Sequence, residues 1–235
     1  MYTLAFDSSA KVASVAVMAD DRIIASYSID NGLTQSELLL PMAEDMLKSL
    51  GLKFSDIELF ATSVGPGSFT GVRIGVSLVK GLAFGRSVPC VAVSTLDALA
   101  ENLMGLSGII VPCMDARRSQ VYTAIYSSDG EDMSKLTEDM AISITELYER
   151  LLSLGNQDIY ISGDGYDIVK KKFSEFGLQV KSTPHNLRLE NAASVAKIAY
   201  KKYYSGEYTS DGELSPTYLR LPQAERERLE RINKE

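Results

Sequence analysis

One histidine, His185, and two cysteines, Cys90 and Cys113, are the only imidazole and thiol groups in 235 residues. That scarcity argues against a zinc or iron cage, which draws on several His or Cys side chains. Both cysteines stand in apolar, strand-like runs (VPCVAV and IIVPCMDA), the pattern of buried reduced thiols and not of a disulfide. His185, in STPHN, has no cysteine or carboxylate cluster beside it and reads as a solvated loop histidine. No uninterrupted apolar run approaches the roughly 18 residues of a membrane span, and MYTLAFDSSAK lacks the basic start and apolar core of a signal peptide. A cytoplasmic location is the expectation. Positive charge is also short: a formal net charge of -7 argues against a dedicated nucleic-acid binder, whose phosphate contacts require a basic surface. Basic spots at Lys170 to Lys172, at Lys201 and Lys202, and from Arg226 to Arg231 read as solvated helix faces, with a phosphate-backbone contact as the alternative.

What is present is an ordinary globular composition, 45% hydrophobic and 23% charged, with ample material for a core. YTLAFDSS, VASVAVMA and RIIASYSI, separated by short turns, predict three antiparallel strands in a meander. From Thr34 to Leu50 the apolar period becomes helical, with Gly51 at the stop and Pro41 about two turns in, as a kink or a late start. IELFATSVG then reads as a buried strand, Gly65 to Gly71 as a loop, the run from Val72 as a helix, and VPCVAVS as another strand.

The second half echoes the first. Shifting the chain by 108 residues lays Asp7 on Asp115, Val15 to Val17 on Thr123 to Ile125, and Asp21 on Asp129. Farther on, Gly65 and Gly67 correspond to Gly163 and Gly165 after a gap of about ten residues. A duplicated unit, each copy a meander followed by crossing helices, predicts an α/β fold of the actin/Hsp70/sugar-kinase (ASKHA) kind. The lobes divide near MGLSG, giving an N-terminal lobe over 1–105 and a reduced C-terminal lobe with a charged tail over 106–235.

In such a fold each lobe offers the turn after its first strand to phosphate groups. Asp7, Ser8 and Ser9 occupy that turn in the first lobe, without the glycine that would let a backbone approach a phosphate. DARRSQ, its counterpart from Asp115, fits a metal-bound phosphate less well, and a structural role for Asp7 and Asp115 in the strand turns is an equal reading. GPGSFTGVRIG is the most distinctive string. Its Gly65, Gly67, Ser68, Thr70 and Gly71, ahead of a helix, suit either an anion site or a tight strand-to-helix turn. It is neither a Walker A loop, because Val72 and Arg73 follow Gly71, nor a dinucleotide fingerprint, because Thr70 takes the place of the third glycine. No G-x-S-x-G elbow exists for a nucleophilic serine.

LAFDSS, SELLLPM, SVGPGSFTGVRIGVSLVKGLAFG, MDARRSQVYTAIY and the late PTYLR together closely resemble the TsaB family, formerly called YeaZ, over nearly the whole chain. The resemblance implies a protein required for synthesis of threonylcarbamoyladenosine beside the anticodon of certain transfer RNAs. It implies a non-catalytic subunit that pairs with the related enzyme TsaD, is joined by the ATPase TsaE, meets tRNA through the complex and forms a homodimer when alone. It requires no metal or cofactor, while weak or interface-dependent binding of ATP or ADP stays open. The related enzyme carries two metal-binding histidines four residues apart on its first long helix, and relatives within the family often keep one; here Gln35 precedes Ser36 and Glu37. The two helices resemble the pair through which the family docks, which nominates Leu39, Met42, Met46, Val76, Val79 and Ala83 as contacts, unless these form the core face of their own lobe. The competing activity is an ATP-dependent phosphotransferase of the sugar- or acetate-kinase type, which the missing glycines count against. A metalloprotease lacks its ligands.

Overall fold

The computed structural model describes residues 1–220; the basic run Arg226 to Arg231 and the polar tail from Gln223 lie outside the described residues. Near-continuous apolar runs buried on both faces make β1 (Tyr2–Asp7) and β2 (Ala13–Ala19) of the meander, and the more exposed β3 (Arg22–Ile29) completes it. β4 (Leu59–Ser63) adds to β1 in parallel and β5 (Cys90–Val93) to β4, so the first sheet runs β3-β2-β1-β4-β5. Between them lie α1 (Gln35–Ser49) and α2 (Phe69–Ala83). Pro41 falls inside α1 without ending it, while Thr34 donates through Oγ1 to Glu37 Oε2 at 2.8 Å at its start. α2 starts three residues earlier than its sequence suggests, because Ser68 Oγ accepts the N–H of Gly71 and caps it there.

The second lobe repeats the plan. Its β6 (Ser107–Asp115) pairs with β7 (Gln120–Thr123) and β8 (Tyr126–Asp129) in one continuous register, Thr123 opposite Cys113 and Tyr126 opposite Ile110. β7 and β8 are therefore one strand interrupted at Ala124 and Ile125, and β9 (Met133–Lys135) and β10 (Met140–Ser143) flank its two parts. β11 (Ile159–Ser162) lies parallel to β6, as β4 does to β1. Asp7 and Asp115 close equivalent first strands. This is the duplicated ASKHA fold, with nothing in the second sheet, among the described residues, to match β5.

Side-chain size decides the layers. Leu4, Phe6, Val15 and Val17 point to α1 and α2, whereas the small Ala5, Ala16 and Ala61 point to the other face. There α6 (Ala192–Tyr204) lays Ala192, Val195, Ala196 and Ala199 close against the sheet. α3 (Thr95–Glu101) turns Leu96 and Leu99 to Ile110 and Met114 of the second sheet, whose far side is covered by α4 (Ile144–Leu152) and α5 (Tyr166–Glu175). A division at residue 105 thus fails at the C-terminal end. α6 belongs to the first sheet, and Leu214 is buried in the first core, because the alanine face of that sheet needs a helix that no earlier segment supplies. Among the described residues no helix is long and apolar enough to cross a membrane.

Candidate functional site

The distinctive glycines meet the turn after β1. Ser8 Oγ donates to the carbonyl of Gly71 at 2.9 Å, and the N–H of Ser68 donates to the carbonyl of Ser9 at 2.6 Å. A Cβ on Gly67 would collide with the Ser9 carbonyl, and one on Gly71 with the Ser8 carbonyl. Gly65, at φ +112, would place its Cβ 2.5 Å from the carbonyl oxygen of Thr217. The sequence therefore brings Asp7, Ser8, Ser9, Gly65, Gly67, Ser68 and Gly71 together, with Ser9, Gly67 and the exposed Ser68 on the wall of an open cleft. Asp7, Ser8 and Ser9 are wholly buried, and the hydroxyls of Ser8 and Ser9 are spent on the Gly71 carbonyl and on Asp7 Oδ1, as in a tight strand-to-helix turn. Thr70 lies apart, exposed on α2.

Asp7 Oδ1 accepts from the Ser9 N–H, from Ser9 Oγ at 2.6 Å and from Ser63 Oγ at 2.8 Å. Its Oδ2 and the Oε1 of Glu190 are buried with no hydrogen-bond partner among the described residues. Burial pushes the Asp7 carboxyl up; burial first, and then the charge of Asp7, push Glu190 up to about 8. Glu190 enters this interior because Ala192 donates its N–H to Ser14 Oγ at 3.0 Å, while Asn102 Nδ2 holds the carbonyl of Leu189 at 2.7 Å. Nothing local in RLENAAS marks Glu190, whose setting arises from three distant segments.

Between the lobes opens a cleft of ≈ 480 Å³ whose lining includes Lys11, Phe69, Arg117, Tyr122, Tyr218 and Arg220. On its second-lobe side the N–H of Asp115 donates to Asp164 Oδ1 at 2.9 Å, and Arg117 donates its N–H to Asp115 Oδ1 at 2.8 Å. Burial raises the pKa of Asp164. His185 lies exposed in a short 3-10 turn, and Cys90 and Cys113 are buried and free.

A second cavity, ≈ 470 Å³, is a mostly apolar groove between α1 and α2, lined among others by Ser36, Leu40, Arg73, Ile74, Ser77 and Leu78. It corrects the nominated contacts. Leu39, Met42, Met46, Val76, Val79 and Ala83 all pack in the first core, and only Leu39 also reaches the groove. The sheet takes the stripe through 39, 42, 43, 46 and 47, which leaves Leu40 at 37% exposure and, at the far end of α2, Phe84 at 78%. Gln35 at the groove's end donates Nε2 to the carbonyl of Ala10 at 2.7 Å. Arg73 and Tyr218, absent from the nominated residues, meet here: Arg73 Nε donates to Tyr218 Oη at 2.8 Å. The signal for them was the arginine inside GPGSFTGVRIG and the tyrosine of PTYLR.

The family model described as "TsaD: tRNA N6-adenosine threonylcarbamoyltransferase" matches residues 34–228. The chain is 30% identical, over 233 residues, to the tRNA threonylcarbamoyladenosine biosynthesis protein TsaB of Bacillus subtilis, covering 98% of this chain and 99% of that one. It is likewise 30% identical to TsaB of Escherichia coli, with 94% and 95% covered. Among solved structures, YeaZ from Pseudomonas aeruginosa superposes with a TM-score of 0.74 at 27% identity, covering 93% of this chain and 99% of that one. The chain belongs to the TsaB (YeaZ) family of tRNA threonylcarbamoyladenosine biosynthesis proteins.

Proposed function

We propose that this chain is the non-catalytic pairing subunit of the machinery that threonylcarbamoylates adenosine in tRNA. Membership of the TsaB family supports the process itself, tRNA threonylcarbamoyladenosine biosynthesis. The observation that carries the pairing role is the groove between α1 and α2, an exposed apolar surface beyond what the core of the first lobe needs. Its natural occupant is the corresponding helix pair of TsaD, the related enzyme, with TsaE joining the assembled pair in the cytoplasm. Alone, the same face closes on a second copy in a symmetric dimer.

The non-catalytic part of the reading draws on the first long helix. The position at which the related enzyme carries metal-binding histidines is held by Gln35, whose amide nitrogen is spent on the carbonyl of Ala10. The turn at Asp7 to Ser9, where kinases of this fold place phosphates, is packed against the protein's own Gly67 and Gly71. A nucleotide in the cleft would rely on the second lobe and on a partner, which makes its binding weak and dependent on the complex. Light scattering of the chain alone and mixed with TsaD from the same organism, beside an assay of magnesium-dependent ATP turnover by the chain alone, tests the reading. A one-to-one complex without turnover by the isolated chain supports it; turnover lost in Asp7→Ala revives the phosphotransferase.

A further inference from the structure

The segment after α6 runs back along the first lobe and then crosses to the second. Thr209 exchanges backbone hydrogen bonds with Cys90 at β5, and Lys80 of α2 donates Nζ to the carbonyls of Gly212 and Leu214 at 3.1 Å each. The N–H of Thr217 donates to the carbonyl of Val64 at 2.7 Å. Tyr218 then stacks on Phe69 with ring centroids 4.8 Å apart and accepts from Arg73, whose guanidinium carbon lies 3.7 Å from the centre of the Phe69 ring. By Arg220 the chain has reached the other lobe. One guanidinium nitrogen donates to the carbonyl of Ala116 at 3.2 Å, and the group lies 5.4 Å from the centre of the Tyr122 ring.

Phe69 is a wall of both cavities, and Arg73 of the groove is held by a residue of the cleft. We infer that Tyr218 and Arg220 are positioning residues for the pairing face: the strap from Pro216 to Arg220 presets Arg73 in the α1–α2 groove and ties that setting to the β6–β7 turn of the second lobe. This rests on the pairing reading above. A free arginine side chain loses rotamer entropy when a partner docks on it; one stacked on Phe69 and bonded to Tyr218 has already lost it. Only Leu219 separates Tyr218 from Arg220, so the lobes cannot move apart without releasing one of the two holds. Docking at the groove and order in the turn at Ala116 to Gln120 are thereby linked, and a linkage of this kind acts equally in both directions.

The turn carries its own reporters, since the N–H of Ala116 donates to Gln120 and that of Gln120 to Arg117. Hydrogen exchange followed by mass spectrometry on the full chain, free and mixed with TsaD, reads them in wild type, Arg220→Ala and Tyr218→Phe. Pairing is expected to slow exchange across the turn by about fivefold or more in wild type, the lower end of ordinary coupling between sites. The slowing disappears in Arg220→Ala, and the affinity for TsaD falls by a similar factor. Tyr218→Phe keeps the ring but removes the acceptor for Arg73, and is expected to weaken pairing without changing the melting profile. Equal slowing in wild type and Arg220→Ala, or none in wild type while a mixed complex forms, overturns the strap's role and leaves pairing intact. Absence of any mixed complex removes the pairing reading, and the inference with it.

Discussion

Ser8 Oγ donates to the carbonyl of Gly71 at 2.9 Å, joining the end of the first strand to the first turn of α2. The glycines that make GPGSFTGVRIG recognisable follow from that approach, because a Cβ at Gly71 would meet the Ser8 carbonyl and one at Gly75 would lie 2.7 Å from Ser8 Oγ and 2.8 Å from Thr62 Oγ1.

Gly71→Ala is therefore expected to cost about 1–3 kcal/mol in urea unfolding, the usual range for overpacking a closed contact. Gly81 on the same helix has open space around its Cα. Gly81→Ala should leave stability unchanged or raise it by up to about 1 kcal/mol, the difference in helix propensity. Equal effects at the two positions would show that the Ser8 contact does not govern the glycine.

Glu190 sets a pH dependence with a definite sign. Its carboxyl is raised to about 8 by burial and then by the charge of Asp7, with Asp164 and Asp30 adding in the same direction. Between the ordinary carboxylate range and about 8 the folded protein holds a proton that the unfolded chain has released, so stability falls as pH rises through that window and levels off above it. Each unit of such a shift is worth about 1.4 kcal/mol. Glu190→Gln, which imitates the neutral acid, should melt higher than wild type at about pH 9 and converge with it near about pH 4. A constant difference in melting temperature across that range would contradict the assignment.

Much of this fold is legible from periodicity. The meander, the helices over α1 and α2, and the echo of Asp7 at Asp115 all follow from local pattern, because the strands are continuous apolar runs between short turns and the helices carry apolar stripes at helical spacing. Which face is harder to read. The run Leu38 to Leu40 puts apolar side chains around α1, and only the sheet decides that Leu39 turns inward and Leu40 outward. The start of α2 is not legible from apolar period, because its cap is Ser68 within a glycine-rich string that reads as a loop. Glu190 carries no local mark, and Arg73 and Tyr218, though each stands in a distinctive string, do not announce their pairing, because the two lie 145 residues apart in sequence.

That distinction yields a further test. Leu40→Glu with Ile74→Glu places charge in the groove and should abolish pairing with TsaD while the chain keeps its circular dichroism and melting transition. Met42→Glu buries a carboxylate in the first core instead, and should unfold the chain or lower its stability by several kcal/mol, roughly the cost of an unpaired buried charge. If the groove variants still pair, the face is wrong even though the subunit role can stand.

The most direct measurement is size-exclusion chromatography with light scattering of the wild-type chain, alone and mixed with TsaD from the same organism. Conversion of a self-dimer into a one-to-one mixed complex, lost in the Leu40→Glu, Ile74→Glu variant, is the expected result. A chain that stays monomeric in the presence of TsaD and turns over ATP by itself would contradict the pairing role and favour an independent enzyme.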